Sequence, residues 1–190
     1  RQWWGAMVAG VVLSSAGLLL WLFNAPVLGR PMQLVTEAPY IVAHLVTLFA
    51  VFGVAALKWA QEDLWTTPAF LLAIGNGTAL FVFSFLAGDT QFESGVAFAM
   101  TVAAAASLVL AALYWIGGQR PLETAIYACF GYMSLSMAII AQFGSPSCFT
   151  WLGWQSLLVI STAIWFRSKI IVACNMFIYL GVLFVYLVMS

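Results

Sequence analysis

Charge is what this chain has least of. Of 190 residues only six are Lys or Arg and six Asp or Glu, a 6 % share against about 25 % in ordinary soluble domains. Net charge is zero and the cations stand singly, so there is no basic face for nucleic acid and no polybasic segment for anionic lipid headgroups. Cysteine is scarce too. Cys129, Cys148 and Cys174 are odd in number and lack C-x-x-C spacing, which excludes a disulfide framework and a zinc ribbon; Cys129 and Cys174 read as small buried apolar residues. A single histidine rules out bis-histidine haem ligation within the chain. No acid pair, Ser-His constellation or metal cluster falls inside an apolar segment, so the reading is of a protein that is not an enzyme and needs no cofactor.

What is present is hydrocarbon, at 65 % of residues. The charges sit at joints (Arg1, Arg30, Glu37, Lys58, Glu62, Asp63, Asp89, Glu93, Arg120, Glu123, Arg167, Lys169) and apolar blocks fill the intervals. A helix needs about 20 apolar residues to cross a hydrocarbon core about 30 Å thick. Seven blocks meet or approach that length: Trp3–Phe23, Pro39–Leu57, Pro68–Ala87, Gly95–Ile116, Thr124–Phe143, Thr150–Phe166 and Ile170–Met189. Helices are expected because lipid offers no partner to an unpaired backbone group. The expected fold class is therefore all-α: a polytopic transmembrane helical bundle, residues 1–190 forming one domain, in a plasma or inner membrane with lipid as its solvent. Only Arg167-Ser168-Lys169 separates the last two blocks; cations are costly at mid-bilayer, so a tight interfacial turn is expected, with six spans as the alternative.

Turn formers and helix breakers mark the same joints, at Asn24-Ala25-Pro26, Thr66-Thr67-Pro68, Gly88-Asp89, Gly117-Gly118 and Gly144-Ser145-Pro146. Aromatic residues gather at these levels as a headgroup belt: Trp3, Trp4, Trp21, Tyr40, Trp59, Trp65, Tyr114, Trp115, Trp151, Trp154 and Trp165. With seven spans and a cytoplasmic N-terminus, every cation but Arg30 falls inside, as the positive-inside rule prefers. The first block is too long for a signal-peptide core and no small-residue cleavage site follows it, so it reads as a retained helix. A chain beginning at Arg1 and not at Met is expected to have residues upstream.

In the fourth block Gly95, Ala99, Ala103, Ser107 and Ala111 recur every four residues, a ridge of small side chains that lets helices approach closely. This block is the expected central helix, and Ala6, Gly10 and Ser14 form a shorter ridge in the first. Intramolecular packing explains both ridges; a homodimer face is the other reading.

No ionisable residue lies near the middle of any block, which argues against proton relays, voltage sensing and ion coupling. The polar residues inside are neutral, among them Asn76 and Thr78, Ser134 and Gln142, Gln155 and Ser161, and Asn175. Asn76 and Asn175 fall at a similar depth and could line a path for a neutral hydrogen-bonding solute, or simply bond to neighbouring helices. Gly75 and Gly77 around Asn76 would give a flexible gate element. His44 lies near the outer end of the second block, with Gln142 and Gln155 at its level as companions, and Cys148 sits in a turn with nothing to activate it. The candidate solute contacts are Asn76, Asn175, Thr78, His44 and Gln155, with no catalytic residue and no metal ligand.

Blocks one to three also overlay on blocks five to seven. Gly10, Ser15 and Pro26 parallel Gly131, Ser136 and Pro146, and Asn76 meets Asn175. In layout this resembles the sugar-facilitator and PQ-loop transporter families, in which two helix triplets joined by a linker helix enclose a neutral solute. The chain departs from that pattern in lacking a Pro-Gln dipeptide and in placing its prolines at block ends. Two functions follow as expectations: a passive facilitator or channel for a small neutral solute, or a non-catalytic subunit of a larger membrane assembly with other membrane chains, or copies of itself, as partners.

Overall fold

In the computed structural model, the described residues are 3–22, 38–60, 66–91, 95–118, 120–144 and 146–166, together with 169, 171–173, 176 and 180. All ordered elements among them are helices: α1 (Trp3–Leu22), α2 (Ala38–Ala60), α3 (Thr66–Gln91), α4 (Gly95–Gly118), α5 (Pro121–Phe143) and α6 (Ser147–Trp165). Six of the seven expected blocks are thus helices at nearly the expected bounds. The seventh lies mostly outside the described residues, although Lys169, 171–173, Met176 and Leu180 are helical. α6 ends at Trp165, one residue before the Phe166 cap and two before Arg167.

Several helices outrun the apolar blocks. α3 begins at Thr66 and continues through Gly88-Asp89 to Gln91, α4 includes Gly117 and Gly118, and α5 begins at Pro121. Pro68 and Pro121 fall in first turns, where a missing N–H costs nothing, so they start these helices and do not break them. Between α5 and α6, Gly144 has φ +59° and ψ 178°, a backbone region open almost only to glycine. Its N–H caps the Ile140 carbonyl at 3.2 Å, and Phe143 stacks on Trp151 across the joint, ring centroids 5.0 Å apart.

α4 and α5 form the central hairpin. Gly95, Ala99, Ala103, Ser107 and Ala111 are all buried, so the small ridge faces the bundle. In α5, Ala125, Ala128 and Gly131 are buried, and a β-carbon at Gly131 would stand 2.8 Å from Leu108 Cγ of α4. α2 and α3 pack on α4, with Gly53 against Leu110; α3 also meets α5, α6 lies on α5, and α1 lies at the edge against α3.

The interior is mostly apolar, but unlike that of a protein in water the outer surface is apolar as well. Buried positions include Asn76, Ser84, Ser107, Glu123, Thr124, Ser134, Ser136 and Gln155, while Leu13, Val109, Ile116, Leu157, Ile164 and Trp165 point outward. Each large apolar side chain left in water forgoes about 1.5–3 kcal/mol, so an outer surface of this kind is stable only against hydrocarbon. Four helical stretches, Ala69–Ala87, Gly95–Gly117, Pro121–Phe143 and Ser147–Trp165, are long and apolar enough to cross a membrane. The chain is an integral membrane protein built as a helical bundle.

Candidate functional site

Asn76 lies near the middle of α3, 4 % exposed. The Gly75-Asn76-Gly77 segment is continuous α-helix and not a bend. Gly77 gives room for the Phe130 ring of α5, whose Cδ2 would be only 2.3 Å from an added β-carbon, while nothing stands within 4 Å of one at Gly75. With the helix unbroken, the Asn76 amide projects into the bundle and donates from Nδ2 to the Phe49 carbonyl of α2 at 3.0 Å.

One turn further along α2, the Gly53 carbonyl accepts the Tyr114 hydroxyl of α4 at 3.0 Å. Two successive carbonyls on one face of α2 therefore each take a bond from another helix. Between them sits Tyr127 of α5, fully buried, its ring edge-on to Phe49 at 5.6 Å and tilted against Tyr114 at 5.3 Å. The Asn76 and Tyr114 side chains lie beside its hydroxyl. Phe49, Gly53, Asn76, Tyr114 and Tyr127 form one polar-aromatic node joining α2, α3, α4 and α5.

A second node pins α6 to α5. Gln155 Nε2 donates to the Tyr132 carbonyl at 2.8 Å and to Ser136 Oγ at 2.9 Å, and the Tyr132 hydroxyl bonds with Thr162. At the α4–α5 joint, Arg120 pairs with Glu123 at 3.4 Å, and Glu123 is covered although it lies in the first turn of α5. Its carboxylate at a helix N-terminus also has a favourable sign toward the helix dipole.

Beside the first node, α1, α2 and α3 enclose a cleft with a cavity volume of about 30 Å³. Its polar lining is Ser14, Ser15 and Asn76; the rest is apolar, including Leu45, Phe49 and Phe83. That is room for one or two waters.

The structure distributes the residues singled out from the sequence. Asn76 is in the first node and at the cleft, and Gln155 is in the second node. Thr78 and His44 are exposed on the outside of α3 and α2, and Gln142 is exposed as well, while Gln155 of α6 bonds to Tyr132 and Ser136 of α5 and not with them. Asn175 lies outside the described residues. Cys129 and Cys148 are buried. Tyr114, expected in the headgroup belt, is fully buried; three residues beyond Ala111, it continues the small ridge, and that register was the signal for it. Tyr127 and Tyr132 carried no such mark. Among the described residues no group of three His, Cys, Asp or Glu side chains converges. Comparison with protein-family models, with curated proteins and with solved structures finds no match to this chain.

Proposed function

We propose that this chain is a non-catalytic subunit of a larger membrane assembly, acting through its outer surface on other membrane chains or copies of itself. One observation carries the reading: both described amides of the interior, Asn76 and Gln155, are engaged with neighbouring helices, which is how intramembrane amides hold a bundle together. Such an interior favours cohesion over passage. Extraction in mild detergent followed by native mass spectrometry tests it. Stoichiometric partners or a defined homo-oligomer are the expected result, and a solitary monodisperse monomer refutes it.

A second reading is favoured by the cleft between α1, α2 and α3: a passive facilitator of a small neutral solute, without ion coupling, with Asn76 as contact. Of the other candidates, Thr78, His44 and Gln155 do not line that cleft, and Asn175 lies outside the described residues. On this reading Asn76→Leu with Asn175→Leu abolishes urea or glycerol flux into proteoliposomes, and unchanged flux removes it.

For both readings the proposed topology is seven spans with a cytoplasmic N-terminus, in a plasma or inner membrane. The side shared by Lys58, Arg120, Arg167 and Lys169 supports it. Reporter fusions after Lys58 and Arg120 should read as cytoplasmic, and fusions after Asp89 and at the C-terminus as exported.

A further inference from the structure

The cleft lies near the middle of the three helices that form it. Phe49 is the middle residue of α2, Asn76 is two residues from the middle of α3, and Ser14 and Ser15 are just past the middle of α1. Hydrocarbon-depth cavities lined only by apolar groups stay dry, but this one has two hydroxyls and an amide on its wall. Asn76 uses one N–H on the Phe49 carbonyl, and an amide has further hydrogen-bonding capacity beyond that bond. Thr47, Thr101, Ser161 and Thr162 turn their hydroxyls back to a carbonyl of their own helix. Ser14 and Ser15 instead line the cleft. On its other side Asn76 lies beside the buried Tyr127 hydroxyl. Polar groups left unsatisfied at this depth cost several kcal/mol each, and lipid cannot supply the bonds.

We propose that the α1–α2–α3 cleft is a hydrated pocket at mid-bilayer, holding one or two waters on Asn76, Ser14 and Ser15, with Asn76 linking it to the Tyr127 hydroxyl. The volume admits that number, and Ser14, Ser15 and Asn76 are the polar groups the lining offers them. This inference is independent of both functional readings, since a small wet cleft serves a packed subunit as well as a facilitator.

Radiolytic hydroxyl labelling in lipid nanodiscs, with H2(18)O mixed in before exposure, tests it. Hydroxyl radicals form only from water and add to adjacent rings, so Phe49, which lines the cleft, is the reporter. In the wild type Phe49 should acquire oxygen label. Ser15→Leu, which fills the cleft from the peripheral helix α1, should remove that label, as should Asn76→Leu. Ser15 is only half-buried, so its variant remains informative if Asn76→Leu fails to fold. An unlabelled Phe49 in the wild type, or a label that persists in folded Ser15→Leu protein, overturns the proposal.

Discussion

Adding a single methyl group at Gly77 is the sharpest test of the bundle. Its carbon would stand 2.3 Å from Phe130 Cδ2, 2.7 Å from Cε2 and 3.0 Å from Cγ. Non-bonded carbons prefer about 3.5–4.0 Å, so the ring must retreat by roughly 1 Å or more. Because Cγ adjoins the stem of the side chain, flipping the ring does not clear the clash. Either Phe130 turns about χ1 or α3 separates from α5, and overpacking of this kind costs about 1–3 kcal/mol. Gly75, two residues earlier on the same helix, has nothing within 4 Å of the equivalent position. Both Gly→Ala changes gain similar intrinsic helix propensity, so the difference between them isolates the steric cost.

Gly77→Ala should therefore be less stable than Gly75→Ala by about 1–3 kcal/mol, roughly 5- to 150-fold in the unfolding constant. Reversible unfolding in mixed micelles titrated with SDS, followed by the fluorescence of the nine tryptophans, measures this. Phe130→Ala in the Gly77→Ala background should recover part of the loss. Equal stability of the two alanine variants, within about 0.5 kcal/mol, would refute the close approach of α3 and α5.

Further predictions use the same assay. A double-mutant cycle of Gln155→Leu with Ser136→Ala should give a coupling of about 0.6–1.7 kcal/mol, the range for intramembrane hydrogen bonds; a coupling near zero would dissolve the α5–α6 node. Tyr114→Phe removes the bond to the Gly53 carbonyl and should cost about 1 kcal/mol, with no loss if that hydroxyl is not bonded there. Gly144→Ala should cost about 1–3 kcal/mol, since φ +59° with extended ψ is poorly open to alanine, and a neutral effect would show that the joint has a different backbone.

Much of the fold was legible because two independent periodicities agree on it. Runs of apolar residues gave the helices, and the four-residue ridge from Gly95 to Ala111 gave the buried face of α4. Helix ends were less legible: Gly88-Asp89 and Thr66-Thr67-Pro68 look like joints, yet a helix leaving the hydrocarbon can run on through polar residues, with proline in its first turn. Gly75-Asn76-Gly77 reads as a flexible bend when taken locally, and only the position of Phe130 on another helix reveals Gly77 as a packing notch. The tyrosines were the hardest. An amphipathic ring suits the headgroup level equally well, and whether its hydroxyl meets water or the carbonyl of a neighbouring helix depends on contacts across sequence separations as long as that from Gly53 to Tyr114.

Those contacts converge on α5. Tyr127 and Tyr132 are five residues apart, roughly 140° around the helix, so one faces the α2–α4 node and the other faces α6. Gly131 between them keeps α4 close, and Phe130 enters the notch at Gly77 of α3. A helix that meets neighbours on several sides has little surface left for lipid, and Pro121–Phe143 is the most enclosed of the four long spans. Its outward positions are correspondingly few, with Met133 and Ile140 among them, whereas α6 offers lipid or a partner Trp154, Leu157, Leu158 and Ile164. The division follows from position alone. In a membrane, side-chain hydrogen bonds and small-residue contacts collect on the helix at the centre, and large apolar side chains remain on the helices at the edge, where any partner must meet them.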